Sequence, residues 1–182
     1  MFRRWRRIDQ PGLELAHIVV EPRGVTVSST VIDGGDYPFS LRYIWSLDSA
    51  WRTRSLRIEH MNGVDRWLTV ERTGEASWKL DKEPAPHLDG CVELDVSSTP
   101  FCNTLAMKRL ARDGALTTAY ISGADLSVVP SRQRYEKISD RHWRYYDLGV
   151  ASGFSANLML DEDGLVRTYE GLFETIEDPP LL

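Results

Sequence analysis

The chain has 182 residues, of which 42% are hydrophobic and 27% are charged. These proportions are typical of a globular protein with its own core, and they exclude an intrinsically disordered chain. The formal net charge of -5 argues against a nucleic-acid binder, because such proteins carry a basic surface for the phosphates.

The first ten residues, MFRRWRRIDQ, combine four arginines with one tryptophan. No apolar stretch follows them, so the segment does not have the pattern of a secretory signal, and we expect a cytoplasmic protein without a transmembrane segment. The basic cluster comprises Arg3, Arg4, Trp5, Arg6 and Arg7. It is predicted to be a solvated end paired with acidic neighbours, with weak contact to an anionic membrane surface as the alternative.

Three strands are predicted next, at 13–20, 24–32 and 39–47, because glycine, proline and aspartate separate runs of β-forming residues. Such a succession is typical of an antiparallel meander. In the third run Phe39, Leu41, Tyr43, Trp45 and Leu47 all project to one side. This aromatic face is predicted to belong to the core or to line a cavity.

A β-hairpin is predicted from 51–60 and 64–72, joined at Asn62-Gly63, since both residues tolerate the positive φ of a tight turn. In its first strand Arg52 and Arg54 are predicted to share a face with Leu56 and Ile58.

The stretch 90–110 begins with a strand in which Val92, Leu94 and Val96 alternate with Cys91, Glu93 and Asp95. Pro100 ends it, and helical spacing from Asn103 to Arg112 predicts one or two turns of helix or an irregular crossover. Glu93 and Asp95 would lie about 7 Å apart on one face, as residues two apart on a strand do. They are weak candidates for a catalytic acid and base, while an ion pair with Arg109 or another internal arginine is favoured.

Six more strands are predicted after the crossover, at 115–122, 126–130, 132–138, 142–148, 154–160 and 165–176. About a dozen short strands with almost no helix indicate an all-β barrel, sandwich or roll. The length predicts one domain over residues 1–182.

Motifs for metal or cofactor chemistry are absent from the sequence. The four histidines are scattered and no HExxH, CxxC, GxSxG or P-loop pattern occurs, so we expect no metal and no cofactor. Cys91 and Cys102 are expected to be buried free thiols.

Several blocks of the chain carry a resemblance to a known family: Gly90-Cys91, Glu93, Asp95, Pro100-Phe101, Asn103-Thr104-Leu105 and Arg109-Leu110, with Trp5, Pro11-Gly12, Glu14 and 43–51 before them and Gln133, Tyr135, 144–146 and 161–173 after them. Together they resemble the bacterial family described as putative glycolipid-binding. The resemblance implies a single-domain, antiparallel, spiral β-roll around an internal cavity. It also implies a role in binding glycolipids or in glycolipid metabolism.

Candidate ligand-binding residues follow from the chemistry of an amphiphile, which needs apolar walls and a few convergent polar groups. The aromatic candidates are Tyr43, Trp45, Trp51, Tyr135 and Tyr145. The polar candidates are Arg54, Asp95, Asn103, Arg109 and Gln133. Three hypotheses remain open: a glycolipid or acyl-chain binder, an enzyme of glycolipid metabolism using Glu93 or Asp95 with Arg109, and a structural or interaction module with a filled interior.

Overall fold

The protein is represented by a computed structural model that describes residues 1–63 and 66–176. Within these residues fifteen strands form one curved sheet, and this sheet encloses one α-helix. The strands are β1 (Phe2–Arg7), β2 (Gly12–Glu21), β3 (Gly24–Asp33), β4 (Phe39–Leu47), β5 (Thr53–His60), β6 (Trp67–Arg72), β7 (Trp78–Leu80), β8 (Glu83–Pro84), β9 (Glu93–Val96), β10 (Gly114–Ile121), β11 (Val128–Ser139), β12 (His142–Asp147), β13 (Ser155–Leu160), β14 (Val166–Tyr169) and β15 (Phe173–Thr175). The helix is α1 (Phe101–Leu110).

The strand order across the sheet is β8-β7-β6-β5-β4-β3-β2-β1-β15-β14-β13-β12-β11-β10-β9. Neighbours are antiparallel except for β9 and β10, which run parallel because α1 connects them. The predicted all-β antiparallel architecture with one short helix is therefore confirmed.

Strand β1 was not predicted, yet it lies in the interior of the sheet between β2 and β15. Trp5 is fully buried and donates a hydrogen bond from Nε1 to the carbonyl of Val166 at 2.7 Å. The prediction of a solvated end is therefore wrong, and Trp5 does not reach a membrane surface. Arg3 pairs with Asp161 and Arg7 pairs with Asp33, so the predicted acidic partners are present.

Other strand bounds differ in detail. The predicted strands 126–130 and 132–138 form the single strand β11, and 165–176 divides into the hairpin β14–β15. Strands β5 and β6 form the predicted hairpin. Val64 and Asp65, which were assigned to its second strand, lie outside the described residues.

Helix α1 begins after Pro100 and spans ten residues, about three turns, which is longer than predicted. It ends at Leu110 because Ala111 has a left-handed backbone with φ of 58°, two residues before the predicted helical spacing ends at Arg112. Its residues 101–107 are all buried, as in a helix surrounded by protein.

Two groups of apolar side chains form the core, and α1 lies between them. Phe101 and Leu105 pack with the strands β2–β7, where the aromatic face of β4 lies. Ala106 and Met107 pack with the aromatic residues of β11–β15. The helix therefore occupies most of the interior of the roll, and the remaining space lies at its N-terminal end.

A seam remains between the two edges of the sheet, because β8 and β9 do not pair with each other within the described chain. The backbone amide of Gly90 donates to the carbonyl of Ala76 at 2.9 Å there, and side chains add further contacts. Arg72 donates hydrogen bonds to the carbonyls of Thr53 at 2.6 Å and Val92 at 2.9 Å, and Trp78 Nε1 donates to the carbonyl of Cys91 at 2.8 Å.

Candidate functional site

A pocket of about 250 Å³ lies between β9, the first turns of α1 and the C-terminal strands. Asp95, Cys102 and Asn103 form its floor. Tyr145 and Asp147, at the end of β12, and the loop that follows them form one side. The volume is slightly below the range of about 300–1,000 Å³ that is typical of sites for drug-sized ligands.

Aromatic rings form the apolar wall of the pocket. The ring centroid of Tyr145 lies 5.8 Å from that of Tyr169 and 6.2 Å from that of Phe154, and Phe173 extends the cluster at 6.3 Å from Tyr169. Such edge and tilted contacts hold rings in fixed orientations. The wall is therefore a preformed apolar surface.

Asp95 is the central polar group of the floor. The Cys102 thiol donates to its Oδ1 at 2.9 Å, and Gln133 Nε2 donates to its Oδ2 at 2.5 Å. Burial raises the pKa of Asp95 and the negative charge of Asp147 adds to this rise, while the two hydrogen bonds oppose it.

A chain of hydrogen bonds orients Gln133 towards Asp95. Asn103 Nδ2 donates to the Tyr135 hydroxyl at 3.1 Å, and that hydroxyl donates to Gln133 Oε1 at 3.1 Å. Every donor in the chain therefore points towards the Asp95 carboxyl, which fixes its rotamer.

Asp147 holds the loop that covers the pocket. Its Oδ1 accepts hydrogen bonds from the backbone amides of Gly149 at 2.7 Å and Ala151 at 3.2 Å, and its Oδ2 accepts one from the Tyr145 hydroxyl at 3.0 Å. Burial, reinforced by the charge of Asp95, raises the pKa of the Tyr145 hydroxyl, so that it remains a neutral donor.

The charges of the pocket have one sign. Among the described residues that line it, Asp95 and Asp147 are the acidic ones, and none is lysine, arginine or histidine. An anionic group would therefore enter without a counter-charge and would lose its hydration. The arrangement suits an uncharged ligand with hydroxyl groups.

Five of the predicted binding residues come together here. Asp95, Asn103 and Tyr145 line the pocket. Gln133 and Tyr135 are buried directly behind them and belong to the same hydrogen-bond chain.

The other predicted binding residues lie elsewhere. Tyr43 and Trp45 are core residues, hydrogen-bonded to Glu14 at 2.6 Å and to Thr53 at 2.7 Å respectively. Trp51 packs against Phe101, with the Lys108 ammonium 4.6 Å from the centroid of its ring.

The two predicted arginines also lie away from the pocket. Arg54 is exposed because a bulge opposite Ser46 and Leu47 turns it outward, so the prediction that it shares a face with Leu56 and Ile58 is wrong. Arg109 pairs with Glu75, and not with Glu93 or Asp95.

Glu93 and Asp95 do not form a shared site. Glu93 faces Arg72 at 3.4 Å and accepts a hydrogen bond from the amide of Thr53 at 3.3 Å, whereas Asp95 faces Cys102 and Gln133. The pairing of Glu93 with an internal arginine agrees with the preferred prediction. The two carboxyl groups therefore have separate sets of partners.

Several pocket residues were not predicted: Cys102, Tyr120, Asp147, Phe154, Tyr169, Leu172 and Phe173. A weak signal existed for one of them, because Trp143, Tyr145 and Asp147 alternate on one face of a predicted strand. The position of that face at the pocket follows only from the fold, which places β12 close to β9 and α1.

Residues 1–63 and 66–176 contain neither a metal-binding cluster nor a helix that spans a membrane. No group of three or more His, Cys, Asp or Glu residues there is placed to hold a metal ion. The helices of that part are too short or too polar to cross a bilayer.

The fold and the pocket together define an all-β roll with an aromatic, acid-floored interior site. A family model described as "Putative glycolipid-binding" matches residues 2–175, and the chain belongs to that family. A crystal structure of a DUF1089 family protein from Pseudomonas aeruginosa is similar to it, with 30% identity, a TM-score of 0.76 and coverage of 93% of this chain and 94% of the other. No curated protein matches the chain. The family supports a binding role in general.

Proposed function

We propose that the protein binds a glycolipid or a related amphiphile, with part of the ligand held in the aromatic pocket. The observation that carries this proposal is a preformed pocket of about 250 Å³, walled by rings and floored by carboxyl groups without a basic residue among the described lining. Apolar walls with few polar groups are typical of small-molecule sites.

Binding is favoured over catalysis in this proposal. The candidate pair Glu93 and Asp95 is divided between the seam and the pocket. Both oxygens of Asp95 already accept hydrogen bonds from protein groups. A carboxyl held in this way suits a role in ligand binding.

The first test is native mass spectrometry of gently purified protein, followed by organic extraction of any bound lipid. Octyl β-glucoside, titrated below its micellar concentration and followed by calorimetry, serves as a defined probe. We expect a single saturable site for this probe.

A blocking variant locates the site. Ala151 is exposed at the pocket rim, so Ala151→Trp is expected to fill the entrance without disturbing the core and to weaken binding of the probe by about tenfold or more. Ala115→Trp is the matched control, because Ala115 is exposed on β10 and does not line the pocket. Equal affinities of the two variants would contradict the proposal.

A further inference from the structure

A second, polar depression of about 480 Å³ adjoins the aromatic pocket. It lies between the end of β1 with the turn that follows it, the loop 34–38 and the end of β10. We refer to it as the polar groove; its lining includes Arg7, Gln10, Asp33, Asp36 and Ser122.

The polar groove and the aromatic pocket share a wall. Ser97 and Tyr120 line both. On the groove side the Arg7 guanidinium lies over the ring of Phe173, 5.2 Å from its centroid, and Phe173 lines the aromatic pocket. The pocket and the groove are therefore neighbours, separated by the side chains of Ser97 and Tyr120.

Asp33 fixes the polar groups of the groove. It is buried, and it accepts hydrogen bonds from Arg7 Nη1 at 2.8 Å, Gln10 Nε2 at 2.6 Å and the amide of Gly35 at 3.2 Å. Arg7 also donates to Asp9, at 2.6 Å from Nη2. The one cation of the described groove is thus held by two carboxylates.

Two polar groups of the groove are acceptors without a partner, and the hydroxyl groups of Tyr37, Tyr120 and Ser122 line it as well. The Gln10 amide oxygen and the Asp36 carboxylate form no hydrogen bond or ion pair in the described part of the chain. Acceptors without partners bind hydroxyl donors and disfavour phosphate or carboxylate groups, which offer only further acceptors and negative charge.

We propose that the polar groove binds the uncharged, hydroxyl-rich headgroup of the amphiphile whose apolar part occupies the aromatic pocket. This inference rests on the proposed function, and it places the headgroup of the same ligand in the polar groove. It predicts selection by headgroup: a sugar is accepted, whereas an anionic headgroup is rejected by Asp36 and the surrounding carboxylates.

Four probes with the same alkyl chain test the headgroup: octyl β-glucoside, 1-octanol, octyl phosphate and octyltrimethylammonium, each titrated below its micellar concentration. We expect the glucoside to bind at least about tenfold more tightly than 1-octanol, and octyl phosphate to bind most weakly.

The variant Gln10→Ala is expected to weaken glucoside binding by about fivefold and to leave the binding of 1-octanol unchanged. The unchanged binding of 1-octanol also shows that the variant is folded.

A charge reversal provides the second variant. Asp36 is exposed, so Asp36→Lys leaves the core intact and is expected to raise the affinity for octyl phosphate. Asp140→Lys changes the net charge equally at an exposed turn outside the groove, and is expected to have no effect.

The outcomes separate this inference from the proposed function. Equal binding of the glucoside and 1-octanol, unaffected by Gln10→Ala, would overturn the headgroup site and leave the aromatic pocket as a binding site. Tighter binding of octyltrimethylammonium than of the glucoside would replace hydroxyl recognition by charge recognition. Failure of all four probes to bind would overturn both proposals.

Discussion

Glu14 is a carboxyl group enclosed in the roll beside the N-terminal end of α1. Its Oε1 accepts hydrogen bonds from Ser29 at 2.8 Å and Tyr43 at 2.6 Å, whereas its Oε2 has no partner within the described residues. Burial raises its pKa from 4.5 to about 7, although the hydrogen bonds oppose the rise. The side chain is therefore protonated in the folded protein over a range where it is ionised in the unfolded chain.

Stability is expected to depend on pH through this proton. A carboxyl whose pKa is raised on folding contributes most below pH 4.5, and the contribution is lost as the pH rises to about 7. At about 1.4 kcal/mol per pKa unit, the rise from 4.5 to about 7 corresponds to about 3 kcal/mol. Urea unfolding at pH 5 and pH 8 measures this loss.

Glu14→Gln is the control for that experiment, because it keeps the size of the side chain and cannot ionise. Glu93 and Asp95 also have a raised pKa, so the wild-type slope alone does not isolate Glu14. We expect the free energy of unfolding of the variant to fall by about 3 kcal/mol less than that of the wild type over the same range. Parallel curves would contradict the assignment.

At the scale of secondary structure, one arginine provides part of the contacts across the seam between β8 and β9. Arg72 contacts the carbonyls of Thr53 and Val92, pairs with Glu93, and has its guanidinium 4.2 Å from the centroid of the Trp78 ring. Burial lowers its pKa and the charge of Glu93 opposes this. The Arg72 guanidinium is largely buried and the Glu93 carboxyl is fully buried, so each charge is stabilised by the other.

Arg72→Ala is expected to destabilise the protein by about 3–5 kcal/mol, because it leaves the Glu93 carboxylate buried without its partner. Arg54→Ala, on the exposed side of β5, is the control and is expected to change stability by less than about 0.5 kcal/mol. The double variant Arg72→Met with Glu93→Gln is expected to recover much of the loss, since no buried charge remains. Chemical denaturation of the four proteins tests this; equal losses for Arg72→Ala and Arg54→Ala would refute it.

The sequence predicted elements whose signals are local. The alternation of Phe39, Leu41 and Tyr43 identified β4 and its aromatic face, and Pro100 marked the end of the strand before the helix. The bulge that turns Arg54 outward has no such signal, because it depends on how β5 pairs with β4. The pocket also has no local signal in the sequence, because Asp95 and Asp147 are 52 positions apart. Only the sheet order brings them together.

At the scale of the whole molecule, β1 joins the two halves of the sheet. It pairs with β2 on one side and with β15 on the other, where Trp5 is the partner of Thr175. Its sequence, FRRWRR, lacks the apolar alternation of a strand, so its position is fixed by these distant neighbours and by the burial of Trp5. Without β1 the sheet would consist of two separate ribbons.

Trp5→Ala is expected to cost about 3–5 kcal/mol, because it creates a large cavity and removes a buried hydrogen bond. Arg6→Ala, at the next position of β1, is expected to cost less than about 1 kcal/mol, since Arg6 is exposed and its pair with Glu174 lies at the surface. Thermal unfolding followed by circular dichroism compares them. A mild effect of Trp5→Ala would show that β1 does not join the halves.

The position of β1 also determines when the sheet can be completed during synthesis on the ribosome. Strands β1 to β8 emerge first and can pair in order, but the second edge of β1 stays open until residues 173–175 have been made. An open strand edge invites pairing with another chain, and charged side chains discourage it. Arg3 and Arg6, whose acidic partners Asp161 and Glu174 are made late, place like charges along this edge and so disfavour its pairing with another chain until β15 arrives.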